Sequence, residues 1–138
     1  PNDKAKKVVE TVWQQLYGTY GLRSLSPDDE AYHGIYFGKL HDRDAAYHQG
    51  TVWAFPMGGF ITALVKVNNY SKESIEMARK LMAPVADHLM DGCIGSIAEI
   101  FDGDAPHVSR GCYAQAWSVG EMLRAYVEDI LEKEKECV

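Results

Sequence analysis

Apolar residues recur at helical spacing over residues 3–17, where Val8, Val9, Val12, Trp13 and Leu16 share one face and Asn2 or Asp3 can cap the start. That rhythm then stops. Gly18, Gly21, Pro27, Gly34 and Gly38 punctuate residues 18–50, which read as one long ordered loop. The sixteen aromatic, charged or histidine residues within it argue against a mere linker. A second, unusually apolar helix is predicted over residues 51–68, with Phe60, Ile61, Leu64 and Val65 inward and Pro56 tolerated in its first turns. After a turn at NNYS, Ser71 can cap a third helix. It carries Ile75, Ala78, Leu81, Met82, Val85, Ala86 and Leu89 to a stop at Gly92, and Pro84 should kink it. A Gly- and Asp-rich loop spans residues 93–111, and a last helix carries Trp117, Val119, Met122, Leu123, Tyr126, Val127, Ile130 and Leu131 before fraying in EKEKE. No segment alternates like a strand pair, and SIAEIF looks too short and isolated for a sheet. The expectation is a single all-α domain over residues 1–138. Its two long loops follow helices one and three, so an up-down arrangement puts both at the same end.

Composition changes this picture little. The 138 residues are 46% hydrophobic and 25% charged, ordinary for a soluble protein able to bury a core. With a net charge of −6 and its basic residues scattered, the chain has no stripe for a phosphate backbone, so nucleic acid is not an expected partner. Apolar runs break well before the ~18 residues of a membrane span, and PNDKAKKVVE has no signal-peptide core. No membrane association and a cytoplasmic location are expected. Cys93, Cys112 and Cys137 form no C-x-x-C pair, which suits free thiols rather than a disulfide framework or a cysteine–zinc site. Pro1 in place of an initiator Met suits either a proteolytic piece or the end of something longer.

The unusual residues gather in two places. HDRDAAYHQGTVW, residues 41–53, holds His41, Asp42, Arg43, Asp44, Tyr47, His48, Gln49 and Trp53; the second loop holds Glu99, Asp102, Asp104, His107 and Arg110. The seven-residue step from His41 to His48 is not the i, i+4 pair of a helical zinc site, so neither metal nor cofactor is expected. Neither GSIAE nor RSLSP supplies the strained elbow of a serine hydrolase. Carbohydrate chemistry fits the inventory better, since it needs flat rings, hydrogen-bonding side chains and carboxylates. Tyr47, Trp53 and Trp117 supply rings, Arg43, His48, Gln49 and Gln115 hydroxyl partners, and Asp44, Glu99, Asp102 and Asp104 carboxylates. Taken singly, each has a plainer role: Trp53 and Trp117 in the core, Asp102 with Gly103 in a turn, Arg43 in a surface ion pair. Their order along the chain carries more than any one member.

That order, GLRSLSPDDEAYHGIYFG, then RDAAYHQGTVW, then GSIAEIFDGDAPHVSRGCYAQAWSVGEMLRA, resembles the C-terminal end of bacterial-type glycogen debranching enzymes, the amylo-α-1,6-glucosidases. The similarity covers residues 8–126, and YHQGTVW and the AEIFDGD to QAWS block are its specific parts. It implies about four of the twelve helices of an (α/α)6 toroid and hydrolysis of α-1,6-linked glucose at glycogen branches, with an α-glucan as partner. By position, Glu99 matches the family's catalytic base in an inverting mechanism. Tyr47, His48, Gln49 and Trp53 match walls of the glucose subsite, supported by Gln115 and Trp117. Arg43 and Asp44 fill the RD pair, and His107 and Arg110 match positions that order the loop. Ala54 stands where the family often has proline. The family's general acid would lie upstream of residue 1, which implies an upstream catalytic segment. Four helices taken from a ring expose faces their neighbours would cover, so a homo-oligomer or a partner chain is expected of the isolated chain. The alternative is a non-catalytic carbohydrate-binding or assembly module derived from the family.

Overall fold

The N-terminal stripe forms the helix its spacing predicts: α1 spans Asp3–Leu16 and buries Val9. A computed structural model describes residues 3–136; Asn2 and Cys137 lie outside them. Helix α3 (Pro56–Val67) starts later than expected, with Pro56 in its first turn, where the missing N–H costs nothing. It buries Met57, Phe60, Ile61 and Val65. Helix α4 (Lys72–His88) is capped as predicted, the Ser71 hydroxyl accepting from Ser74 N at 3.2 Å, and the helix continues through Pro84. The chain ends in α5 (Ala116–Ala125), a π-helical turn over Tyr126–Leu131 and α6 (Glu132–Glu136), so EKEKE stays helical rather than fraying. That wider turn carries the buried Asp129, whose Oδ2 accepts from Thr62 Oγ1 at 2.5 Å on α3. Met57, Phe60, Ile61, Ile75, Leu81, Met122 and Ile130 join these helices in one core.

Two expectations need correction. Residues 18–50 are not all loop, because Leu40–Tyr47 forms helix α2. It is short, weakly amphipathic and largely exposed, so it gives no hydrophobic period to read. Asp42 steadies its start by accepting from Lys39 N at 3.0 Å.

Nor is the chain purely all-α. Five short strands, β1 (Tyr17–Gly18), β2 (Gly21–Arg23), β3 (Val52–Trp53), β4 (Ile100–Phe101) and β5 (Ser109–Arg110), form an antiparallel sheet in that order. The SIAEIF segment supplies its fourth strand, and Val52–Trp53, expected in a helix, supplies its third. Strands of two or three residues cannot show a period of two, and the central strand β3 pairs with partners far along the chain on both sides. Gly21 is needed because a Cβ there would run into the Trp53 carbonyl. The registers Leu22↔Trp53 and Trp53↔Ile100 bring the two long connecting segments together over the helices. No described helix is long and apolar enough to cross a membrane.

Trp13 (41% exposed) and Met77 (47% exposed) border an open apolar groove of about 390 Å³ between α1, α3 and α4.

Candidate active site

Pairing of β3 with β4 brings Trp53 opposite Ile100, one residue from Glu99, and Tyr47 at the end of α2 completes the approach. The Tyr47 hydroxyl donates a short hydrogen bond to Glu99 Oε1. Cys112 N donates to Oε2 at 2.9 Å, while Glu99 N donates back to Cys112 O at 2.9 Å. Gly111 makes this closure possible. Its φ of 66° lies in the left-handed region, and a Cβ there would stand 2.5 Å from Glu99 Oε2. Glu99 is 9% exposed. Burial pushes its carboxyl up, but the Tyr47 hydroxyl and the Cys112 amide and thiol pull it down, and the net value lies below the ordinary one. Tyr47 moves the other way, pushed up to about 12 by burial and by the carboxylate it faces. Glu99 is thus an ionised carboxylate across a broad pH range.

Tyr47 anchors a band of rings. Its ring lies 4.8 Å from Trp53 and 4.7 Å from His48, and His48 stacks on Trp53 at 5.2 Å with planes 7° apart. Trp53 meets Trp117 at 6.1 Å, Trp117 stacks on Phe55 at 4.6 Å, and Tyr36 reaches Tyr47 at 5.9 Å. Trp53 itself is buried and held by its indole N–H, 3.1 Å from both Tyr47 O and Thr51 Oγ1. Trp117 is 47% exposed. His48, Trp53, Phe55 and Trp117 line one open groove of about 340 Å³ together with Arg23 and Ser24. Glu99 does not line that groove, and Tyr47 connects it to the groove's rings.

The other expected residues divide. Gln115 opens α5 and ties its amide to Ile97 O at 2.9 Å; Gln49 is half-buried and its carbonyl accepts from His33 N. Arg43 and Asp44 lie exposed on α2, with the Arg43 guanidinium 6.0 Å from the Tyr36 ring. Asp102 is 2% exposed and fully engaged: Arg110 grips it from Nε and from Nη2, the latter at 2.9 Å, and Tyr36 N donates to it at 2.8 Å. His107 Nδ1 lies 2.8 Å from Asp102 O, so His107 and Arg110 order the loop. Sequence reading missed Tyr36, Phe55, Gly111 and Cys112. Phe55 stood two residues beyond Trp53 and could have been found there, whereas nothing local couples Cys112 to Glu99.

Tyr47→Phe is expected to cost about 1.5 kcal/mol at neutral pH by removing a charge-assisted bond. Because the folded carboxyl titrates below its ordinary 4.5, its contribution is full above that pH and is lost as pH falls through the folded value. The variant should therefore unfold in acid at a higher pH than wild type, read by tryptophan fluorescence.

An ionised carboxylate at one end of a band of flat rings is a combination suited to the glycosidase class of proteins. Comparison with known families agrees, since the model described as amylo-alpha-1,6-glucosidase matches residues 1–124. The chain belongs to this family of glycoside hydrolases related to glycogen debranching.

Proposed function

We propose that this chain carries the base-bearing part of an inverting α-1,6-glucosidase acting at the branch points of glycogen-like glucans. The observation behind the proposal is the Glu99 carboxylate, kept ionised by Tyr47 and Cys112 at the end of the ring band. In the reaction Glu99 takes a proton from water as the water oxygen attacks the anomeric carbon. The bond to the 6-oxygen breaks, and that oxygen takes a proton from a general acid. Tyr47 and His48 wall the reacting glucose, Trp53 backs them, and Trp117 with Phe55 offers a platform for a neighbouring unit. Gln49, Gln115, Arg43 and Asp44 are assigned to hydroxyl contacts or to support around the pocket.

An inverting pair of carboxyl groups stands about 6.5–9.5 Å apart. Asp102, the nearest carboxylate to Glu99 along the chain, is committed to Arg110 and Tyr36 N, so the acid is assigned to an upstream segment or another copy of the chain. The helices then form part of an (α/α)6 ring, and the groove between α1, α3 and α4 is where further helices would pack.

One observation favours the second reading, a binding module without turnover: both Glu99 oxygens are engaged and the carboxylate is largely covered. Incubation with a phosphorylase-limit dextrin separates the two. Glucose release supports the glucosidase, and binding of maltooligosaccharide without release supports the module. In either case Trp117→Ala should weaken maltooligosaccharide binding by about 2–10-fold, if a ring stacked on a sugar contributes about as much as a ring stacked on another ring, about 0.5–1.5 kcal/mol. Fluorescence titration reads this loss.

A further inference from the structure

His88, at the end of α4, is 4% exposed, yet it belongs to no ion pair closer than 3.9 Å. Its ring meets Phe101 edge-on at 4.8 Å and Tyr20 at 5.6 Å. Its Nε2 lies 3.2 Å from Ala98 N and accepts that N–H, so the buried ring is the neutral tautomer with its proton on Nδ1. Ala98 is itself buried, and its amide would be orphaned without this acceptor. Residues 89–97 between the two carry no regular element, with Gly92 and Gly95 at φ of 55° and 80°. One side-chain bond therefore ties the end of α4 to the peptide that enters Ala98, one residue before Glu99.

We propose that His88 is a positioning residue: its neutral ring fixes the Ile97–Ala98 peptide, the one just before the Ala98–Glu99 peptide, and so helps aim the Glu99 carboxylate, and its protonation releases that latch. The inference rests on the glucosidase reading for its consequence but not for its geometry. An imidazolium has no acceptor, so protonation sets two donors face to face at Nε2. The charged and titratable groups around the ring are Asp91, which follows it on the turn, Tyr20 from the β1–β2 turn, and Arg110 and Tyr113 across a cavity of about 60 Å³. Burial pushes His88 below its ordinary 6.5, with Asp91 pulling weakly upward. The latch is accordingly closed above pH 6.5 and opens as pH falls through the lower folded value.

The test follows backbone amides by ¹⁵N NMR from pH 7.5 to 4 in wild type, His88→Gln and His88→Leu. In wild type the Ala98 and Glu99 amides should shift together in one acid step, and the Ala98 protection factor, taken against the intrinsic exchange rate at each pH, should fall at least tenfold below it. His88→Gln keeps an acceptor that does not protonate in this range, so the step should vanish while both amides stay protected. His88→Leu should leave the Ala98 amide without protection relative to its intrinsic exchange rate at every pH, with α1 amides protected as a control for folding. A pH-independent Ala98 amide in wild type, or the same acid step in His88→Gln, would overturn the latch. Neither outcome depends on glucose release, so failure of the glucosidase reading is seen separately in the dextrin assay. Where turnover is measured, His88→Gln should lose the matching acid limb of kcat while retaining KM.

Discussion

Glu99→Gln is expected to lower glucose release from limit dextrin by about 10²–10⁴-fold, the contribution of a positioned general base. The amide has the carboxylate's shape but cannot take the proton of the attacking water. Folding should be nearly unchanged. The side-chain oxygen still accepts from Cys112 N, and the neutral group removes a buried charge even as it weakens the bond from Tyr47. Loss of turnover with a melting temperature close to wild type is thus the signature of a base. A matching loss of stability would instead mark Glu99 as a structural tie between β4 and the Gly111–Cys112 turn.

Asp102→Ala has the largest expected effect on stability, about 3 kcal/mol, measured by urea or thermal unfolding. The substitution strips Arg110 of its carboxylate and leaves Tyr36 N without its acceptor. Breaking a buried pair from one side costs about 3–5 kcal/mol, and the lower figure applies because Arg110 keeps 28% of its side chain in contact with water. Asp102→Asn should recover part of the loss, since an amide oxygen can still accept from Tyr36 N. The effect reaches the site indirectly: Arg110 lies on β5, beside the turn that folds over Glu99, and the Tyr36 ring meets the Tyr47 ring at a tilt, 5.9 Å away.

The helices were legible wherever burial repeats at helical spacing. Val9 in α1 and Ile75, Ala78, Leu81, Met82 and Val85 in α4 are such positions, and Ser71 caps where its hydroxyl suggested. The sheet was not legible, because two-residue strands such as Ile100–Phe101 are defined by partners far off in sequence. Residues 40–47 hid their helix because most of that turn faces water and no period marks it. The site was half legible. Tyr47, His48, Trp53 and Glu99 appeared among the candidates by residue type and were singled out by the family resemblance, and the Tyr47 ring and hydroxyl link them in the structure. That Glu99 lies beyond the groove lined by His48 and Trp53 follows from a side-chain direction that no spacing encodes. The same holds for Trp117, which type alone would place in the core and which stands 47% exposed against Phe55.

The most direct measurement is a crystal structure of the protein with an uncleavable thio-linked α-1,6 oligosaccharide. Glu99 should hold a water facing the anomeric carbon of a glucose seated against Tyr47 and His48, with the next unit over Trp117. An oligosaccharide bound away from these rings, with Glu99 still closed under Tyr47 and Cys112, would contradict the account.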